Sequence, residues 1–301
     1  MLDDDVVSDR ARRIGAAIEP VAGQVYFSPE CHRAYEALGF SPSPASDAGV
    51  AMPDGVAYFC SRGSILGQVP GEVVAAAFAV FNPAIVIPLV AMGRDLAPAE
   101  ALEAARTEGA VGQLVRILGE TPEGLDRATT LLERATAGLR PEGKPLYSGL
   151  LGLDLPAPPM GVMWRLADRL REYRGDAHIA AWTAAGFDAT EIGLLTELYW
   201  GLPLRTYIRT RAWSEDDLDA AEARLEDRGL VADGAFTEAG RAARETVERV
   251  TDAQCRPIVE GLGDDVDELL DRLTPWGDAV RAAGGYPASG PHDLAGLDGG
   301  S

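Results

Sequence analysis

The sequence predicts a mainly α-helical protein built from two related halves, each with a small β element. Three observations carry this prediction. Most of the chain falls into stretches with helical apolar spacing, opened by a capping residue and closed by glycine or proline. Strand-like segments are few and short. A pattern of residues that begins at Glu30 returns at Asp176.

From the N-terminus, residues 6–18 read as the first helix. Ser28-Pro29-Glu30 starts the next, with serine as N-cap, proline at the first helical position and an acid in the first turn; the helix stops at Gly39. Residues 41–55 form a loop and residues 56–60 a short strand, and helices are expected over 72–81, 98–119 and 122–138. The Gly-, Leu- and Pro-rich stretch 143–159 reads as a connector. It divides an N-terminal half, residues 1–150, from a C-terminal half, residues 160–285. Residues 286–301 are rich in Gly and Pro and read as a disordered tail.

The second half opens with a helix over 162–173 and a break at Gly175, followed by helices over 177–185 and 189–199. Ser214 caps another over 215–227, with three acids in its first turn. Gly229 then leads into a short strand, Asp233-Gly234 makes a tight hairpin turn, and Phe236-Thr237 returns into a long helix to about Gln254. Helix, helix, Arg228-Gly229-Leu230-Val231, hairpin, Thr237-Glu238-Ala239-Gly240-Arg241, helix is the order of a winged helix. It resembles the MarR-type repressors over about 75 residues. Across the whole chain, the phrases FSPECHRAYEALGF (27–40), YFCSRGSILGQVPGEVVAAAFAVFNP (58–83), GKPLYSGLLGL (143–153) and LREYRGDAHIAAWTAAGF (170–187) occur in order. With RAWSEDDLDAAEARLEDRGLV (211–231) and DGAFTEAGR (233–241), they resemble an actinobacterial helix-turn-helix-like family of mostly hypothetical proteins. That resemblance supports a winged-helix-like fold and implies no chemistry; with the repeated pattern, the expected fold is duplicated winged-helix-like halves with small β wings.

Charge argues against the usual work of such a fold. The chain carries 27 basic and 47 acidic side chains, a formal net charge of −20. Affinity for nucleic acid comes from Lys and Arg displacing counterions from phosphates, and an acidic surface also repels anionic membranes. The helix over 215–227, placed where a winged helix reads the major groove, holds Glu215, Asp216, Asp217, Asp219, Glu222, Glu226 and Asp227 against Arg224, with Arg228 just after it. DNA binding through this element is not expected. The apolar run 73–92 is interrupted by Asn82-Pro83 and Pro88, so two helical segments are expected rather than a membrane span. The acidic N-terminus has no signal-peptide character, and the three cysteines (Cys31, Cys60 and Cys255) form neither a disulfide framework nor a zinc motif. A cytoplasmic protein is expected.

The repeated pattern supplies the candidate site. Glu30-Cys31-His32 leads a helix closed by Gly39-Phe40, and Tyr58 and Arg62 follow, the arginine 30 residues after the histidine. Asp176-Ala177-His178 leads a helix closed by Gly186-Phe187, and Tyr207 and Arg211 follow, the arginine 33 residues after the histidine. An internal duplication would bring equivalent elements together at the interface between the halves, a common place for a ligand pocket. Each histidine has two readings: a helix-start residue bonded to its neighbours, or an acid–base group or ligand in a shared cleft. Each arginine likewise forms a structural ion pair or clamps an anion. Arg174 joins them as a further cation, and Tyr58, Tyr207 and Trp213 are the aromatic candidates for walling a flat ligand.

No GxGxxG after a strand, Walker loop, HExxH or GxSxG is present. The leading expectation is therefore a protein of specialised metabolism that binds a small anionic or aromatic molecule between its halves and no longer reads DNA. One rival is a biosynthetic enzyme in which Asp176 orients His178 as general base, with His32 assisting, using a haem or metal cofactor that no motif specifies. The other is a transcriptional regulator acting through a different, basic surface. No metal ligand set is assigned, and the chain is expected to be a monomer or homodimer.

Overall fold

The computed structural model describes residues 2–287. The expected tail falls outside the described residues from 288 onward. Tyr286, at its head, is instead buried, edge-on to Phe27 with its hydroxyl donating to Glu19 at 2.8 Å.

The fold is mainly α. Helices α1 (Asp4–Gly23), α2 (Pro29–Ala37), α3 (Gly55–Gly63), α4 (Gly71–Phe78), α5 (Pro83–Leu96), α6 (Ala99–Leu118), α7 (Leu125–Ala137) and α8 (Pro145–Leu151) precede the longest, α9 (Pro159–Ala184). Then follow α10 (Ala189–Tyr199), a single 3-10 turn Ile208–Arg211, α11 (Glu215–Asp227), α12 (Glu238–Gln254), α13 (Arg256–Leu262) and α14 (Val266–Ala282). Two antiparallel hairpins, β1 (Ser46–Asp47) with β2 (Val50–Ala51) and β3 (Val231–Ala232) with β4 (Ala235–Phe236), are the strands of the described residues. Both turn through two residues with positive φ, Ala48-Gly49 and Asp233-Gly234, as two-residue hairpins require.

Capping explains the helix starts. Ser28 Oγ accepts from the Cys31 amide ahead of Pro29, and Asp188 and Ser214 each close a reciprocal capping box, with Glu191 and Asp217. The strand expected at 56–60 is helical instead. Asp54 accepts from the Ala57 amide and opens α3 there, so the short apolar run is one buried face of a helix, and such runs have no distinguishing period. The break expected at Gly175 is absent, and α9 continues to Ala184. Glycine inside a helix costs only about 1 kcal/mol, and the buried Tyr173, Ala177, Ala181 and Trp182 around it outweigh that.

Three apolar clusters result. The largest joins α1, α2, α6, α7 and the first part of α9 to α13 and α14, so it draws on both sides of the boundary expected near residue 150. A second gathers the end of α9 with α10, α11, α12 and the β3–β4 wing, and a third packs α3, α4, α5 and α8. The hairpin of the first part lies between α2 and α3, whereas the wing lies between α11 and α12. The two echoed phrases thus take different local structures: Tyr58 and Arg62 sit on an α-helix, Tyr207 and Arg211 at a 3-10 turn. No helix among the described residues is long and apolar enough to cross a membrane.

The α2–α6 crossing depends on Gly109, where an added Cβ would lie 2.5 Å from the Cys31 backbone N and Cα. Two helix backbones approach there with no flexible side chain to yield. Gly109→Ala is expected to lower stability by roughly 1–3 kcal/mol through overpacking. An unchanged denaturant midpoint for that variant would show that the crossing relaxes freely.

Candidate functional site

A cavity of about 310 Å³ lies where the three clusters meet, bounded by α1, α3, the end of α4, α9, α10, the 3-10 turn and α12. Residues three and four apart on a helix share a face, and Arg171, Arg174, His178 and Trp182 follow that spacing along α9 to form one wall. Tyr58 and Arg62 project from α3 at the same spacing, and Tyr207 and Arg211 flank the 3-10 turn. Phe78 and Phe81 complete an aromatic side of the cavity.

The 3-10 turn is fixed from two directions. The buried Glu197 carboxylate accepts from the Ile208 and Arg205 amides, both at 2.7 Å. Asn82 donates through its amide to Arg211 O and through its side chain to Ala212 O, each at 3.0 Å, and Trp213 Nε1 donates to Val80 O at 2.9 Å. α10 approaches so closely that a Cβ at Gly193 would meet Ile208 Cδ1 at 2.3 Å. Glycine here lets the turn seat against the helix.

Five arginines line the cavity, and four are committed to carboxylates. Arg62 makes a two-pronged pair with the fully buried Glu172, Nε to Oε1 at 3.2 Å and Nη2 to Oε2 at 2.9 Å. Arg171 reaches Glu172 at 2.9 Å and Glu19 at 3.0 Å. Arg174 pairs with Glu248 and Asp252, and Arg244 with Glu248 at 2.7 Å. Burial alone would raise the Glu172 carboxyl, but Arg62 and Arg171 overcome it and hold it at about 2. Arg211 differs. It stacks on the rings of Phe81 and Tyr207, 4.5 Å from each centroid, and donates to the Tyr207 hydroxyl, yet pairs with no carboxylate among the described residues.

His178 Nδ1 lies 3.2 Å from Thr251 Oγ1. Burial, opposed in part by Glu248 and reinforced by Arg244 and Arg174, pushes the imidazole down to about 4, so it is neutral near pH 7. Asp176 does not orient it. Residues two apart on a helix face different ways, and Asp176 Oδ2 instead accepts from the Tyr147 amide at 2.9 Å. The acid–base pair expected from the sequence is therefore not formed. Nor does His32 line the cavity: it is buried in α2 with Nε2 3.0 Å from Tyr26 O. The short α2 that carries it packs against α6 and contributes no residue to the cavity lining. Trp213 is likewise not a wall residue, because its indole is spent on Val80.

Of the residues named from the sequence, Tyr58, Arg62, Arg174, His178, Tyr207 and Arg211 come together at one cavity. Arg171, Glu172, Trp182, Arg244 and Glu248 were missed. For Arg171 and Trp182 the signal was the spacing along α9, hidden by the break expected at Gly175, whereas Arg244 and Glu248 form an i,i+4 pair on α12. Among the described residues no group of three His, Cys, Asp or Glu side chains converges in a way that could hold a metal ion.

α11 presents Glu215, Asp216, Asp217, Asp219, Glu226 and Asp227 to solvent. Arg224 is tied to Asp188 and Glu191, and Arg228 to Glu191. The element before α11 is only the one-turn Ile208–Arg211. No curated protein and no solved structure matches the chain. A helix-turn-helix family model nonetheless matches residues 11–287, and the chain belongs to that helix-turn-helix family.

Proposed function

We propose that the protein binds a small anionic aromatic molecule in the cavity and does not read DNA through α11. The observation that carries this is Arg211, a cavity-lining guanidinium stacked on two rings and ion-paired with no carboxylate among the described residues. In a chain of net charge −20, an arginine left without an acid is a place where a ligand's anion supplies the missing charge. The aromatic side chains around it suit a flat body, and about 310 Å³ falls at the small end of ligand sites.

The second clause is supported by α11 itself. A reading helix next to phosphates needs donors and cations, and this one exposes carboxylates while its arginines are engaged. The 3-10 turn just before α11 is part of the cavity wall.

Calorimetric titration with 2-naphthoate and with the uncharged 2-naphthamide tests the first clause. The acid is expected to bind at least about tenfold more tightly than the amide, and Arg211→Ala to erase that preference without lowering the melting temperature appreciably. Equal affinity for acid and amide in the wild type would remove the assignment. A salt-dependent mobility shift on the gene's own promoter region, abolished by changes in α11, would overturn the second clause and favour the regulator reading that the family scaffold allows.

A further inference from the structure

The cavity's unpartnered polar atoms define its occupant more closely, and this argument rests on the cavity being a binding site. Trp182 Nε1, Arg174 Nε and Arg244 Nε are buried with no acceptor among the described residues, and all three residues line the cavity. An indole N–H and a guanidinium N–H can only donate. The Arg211 guanidinium, which lines the cavity, can likewise only donate, and it asks for a ligand that carries acceptors, as an acid does.

His178 is the exception, and its tautomer follows from its neighbour. Thr251 Oγ1 donates its one proton to Val247 O at 2.8 Å, one turn back on α12. Toward His178 Nδ1, at 3.2 Å, the same oxygen can only accept. Nδ1 therefore carries the ring proton, a placement also favoured by Glu248 Oε1 at 3.8 Å. With Arg174 and Arg244 facing it and burial disfavouring the cation, the ring stays neutral, and Nε2 is a bare lone pair with no partner among the described residues. The His178 side chain is 25% exposed, so this acceptor belongs to a ring that a ligand can reach.

We infer that the ligand is a hydroxylated aromatic acid, its carboxylate meeting the cavity's donors at Arg211 and its hydroxyl donating to His178 Nε2. A plain aromatic acid would leave Nε2 unanswered, and a site that offers a hydrogen-bonding group discriminates against a ligand lacking the complement.

The test compares 2-naphthoate with its monohydroxy isomers, and the best isomer with its methyl ether, against the wild type and His178→Phe. One hydroxy isomer is expected to bind about tenfold more tightly than 2-naphthoate, its ether to lose that gain, and His178→Phe to bind both acids alike. Hydroxy isomers no tighter than the parent, or a gain that survives in His178→Phe, would overturn the inference while leaving anion binding intact. Failure of every naphthoate to bind would instead remove the underlying site. Nitrogen-15 NMR of the wild-type imidazole is independent of any variant's folding. It is expected to show the Nδ1–H tautomer at pH 7 and a shift of the Nε2 resonance only with a hydroxylated ligand. An Nε2–H tautomer or an imidazolium would refute it.

Discussion

Glu172→Gln is expected to destabilise the protein by on the order of 3–5 kcal/mol, the cost of leaving buried cations without their counter-charge. The carboxylate is fully buried and answers Arg62 through both oxygens, Arg171 through Oε1 and the Tyr26 hydroxyl at 3.2 Å. Glutamine keeps the shape but offers one acceptor and no charge to two guanidinium groups. Arg171 retains Glu19, so the larger share of the loss falls on Arg62. Urea denaturation of Glu172→Gln, Arg62→Leu and the double variant separates the pair from its members. The double variant should recover a substantial part of the single-variant loss, since removing both partners leaves no orphaned charge. Strictly additive losses would mean that the two side chains act independently.

Asp176→Asn is expected to stabilise the protein at alkaline pH and to do little in mild acid. Burial pushes the Asp176 carboxyl up to about 7, against the opposing pull of the Tyr147 amide, and its Oδ1 has no hydrogen-bond partner among the described residues. The unfolded chain ionises it near the usual value of about 4. Between those two values the native state holds a proton that the unfolded state has released. Stability from this residue is thus present in acid and lost as pH rises toward 7. Asparagine keeps an acceptor for the Tyr147 amide and cannot ionise. The advantage of the variant at pH 8 should be on the order of 4 kcal/mol, and it should shrink to about 1 kcal/mol at pH 4.5. Melting curves of both proteins across that range decide it, and a pH-independent difference would show that Asp176 ionises normally.

The sequence made the helices legible wherever a cap and a stop bracketed them. Residues 189–199 and 215–227 were bounded to the residue, because Asp188 and Ser214 cap locally and Gly201 and Gly229 have φ values that end a helix. Local chemistry decides such ends. It does not decide whether a glycine is tolerated inside a helix, and α9 runs past Gly175 because of side chains brought to it by distant segments. The same reason hid the cavity wall. The echo of Tyr58 and Arg62 in Tyr207 and Arg211 did lead to residues that share one cavity, although the phrases fold differently. His32 misled because its matching position carries no information about which neighbour its ring meets. That neighbour is the Tyr26 carbonyl, six residues earlier.

The pairing of α1 with α14 carries a consequence for how the chain is made. The largest cluster seals Val7, Ile14 and Ile18, at the very start, against Leu269, Leu273 and Trp276, near the end of the described chain. A growing chain leaving the ribosome cannot complete that cluster until almost all of it has emerged, and joining its ends incurs the loop-closure entropy of nearly the full length. Until then the apolar faces of α1, α6 and α7 stay open to solvent and to one another's neighbours in the cell. The largest cluster is closed only once α14 is available to α1. A chain cut short in the linker before α9 would keep only the apolar cluster of α3, α4, α5 and α8.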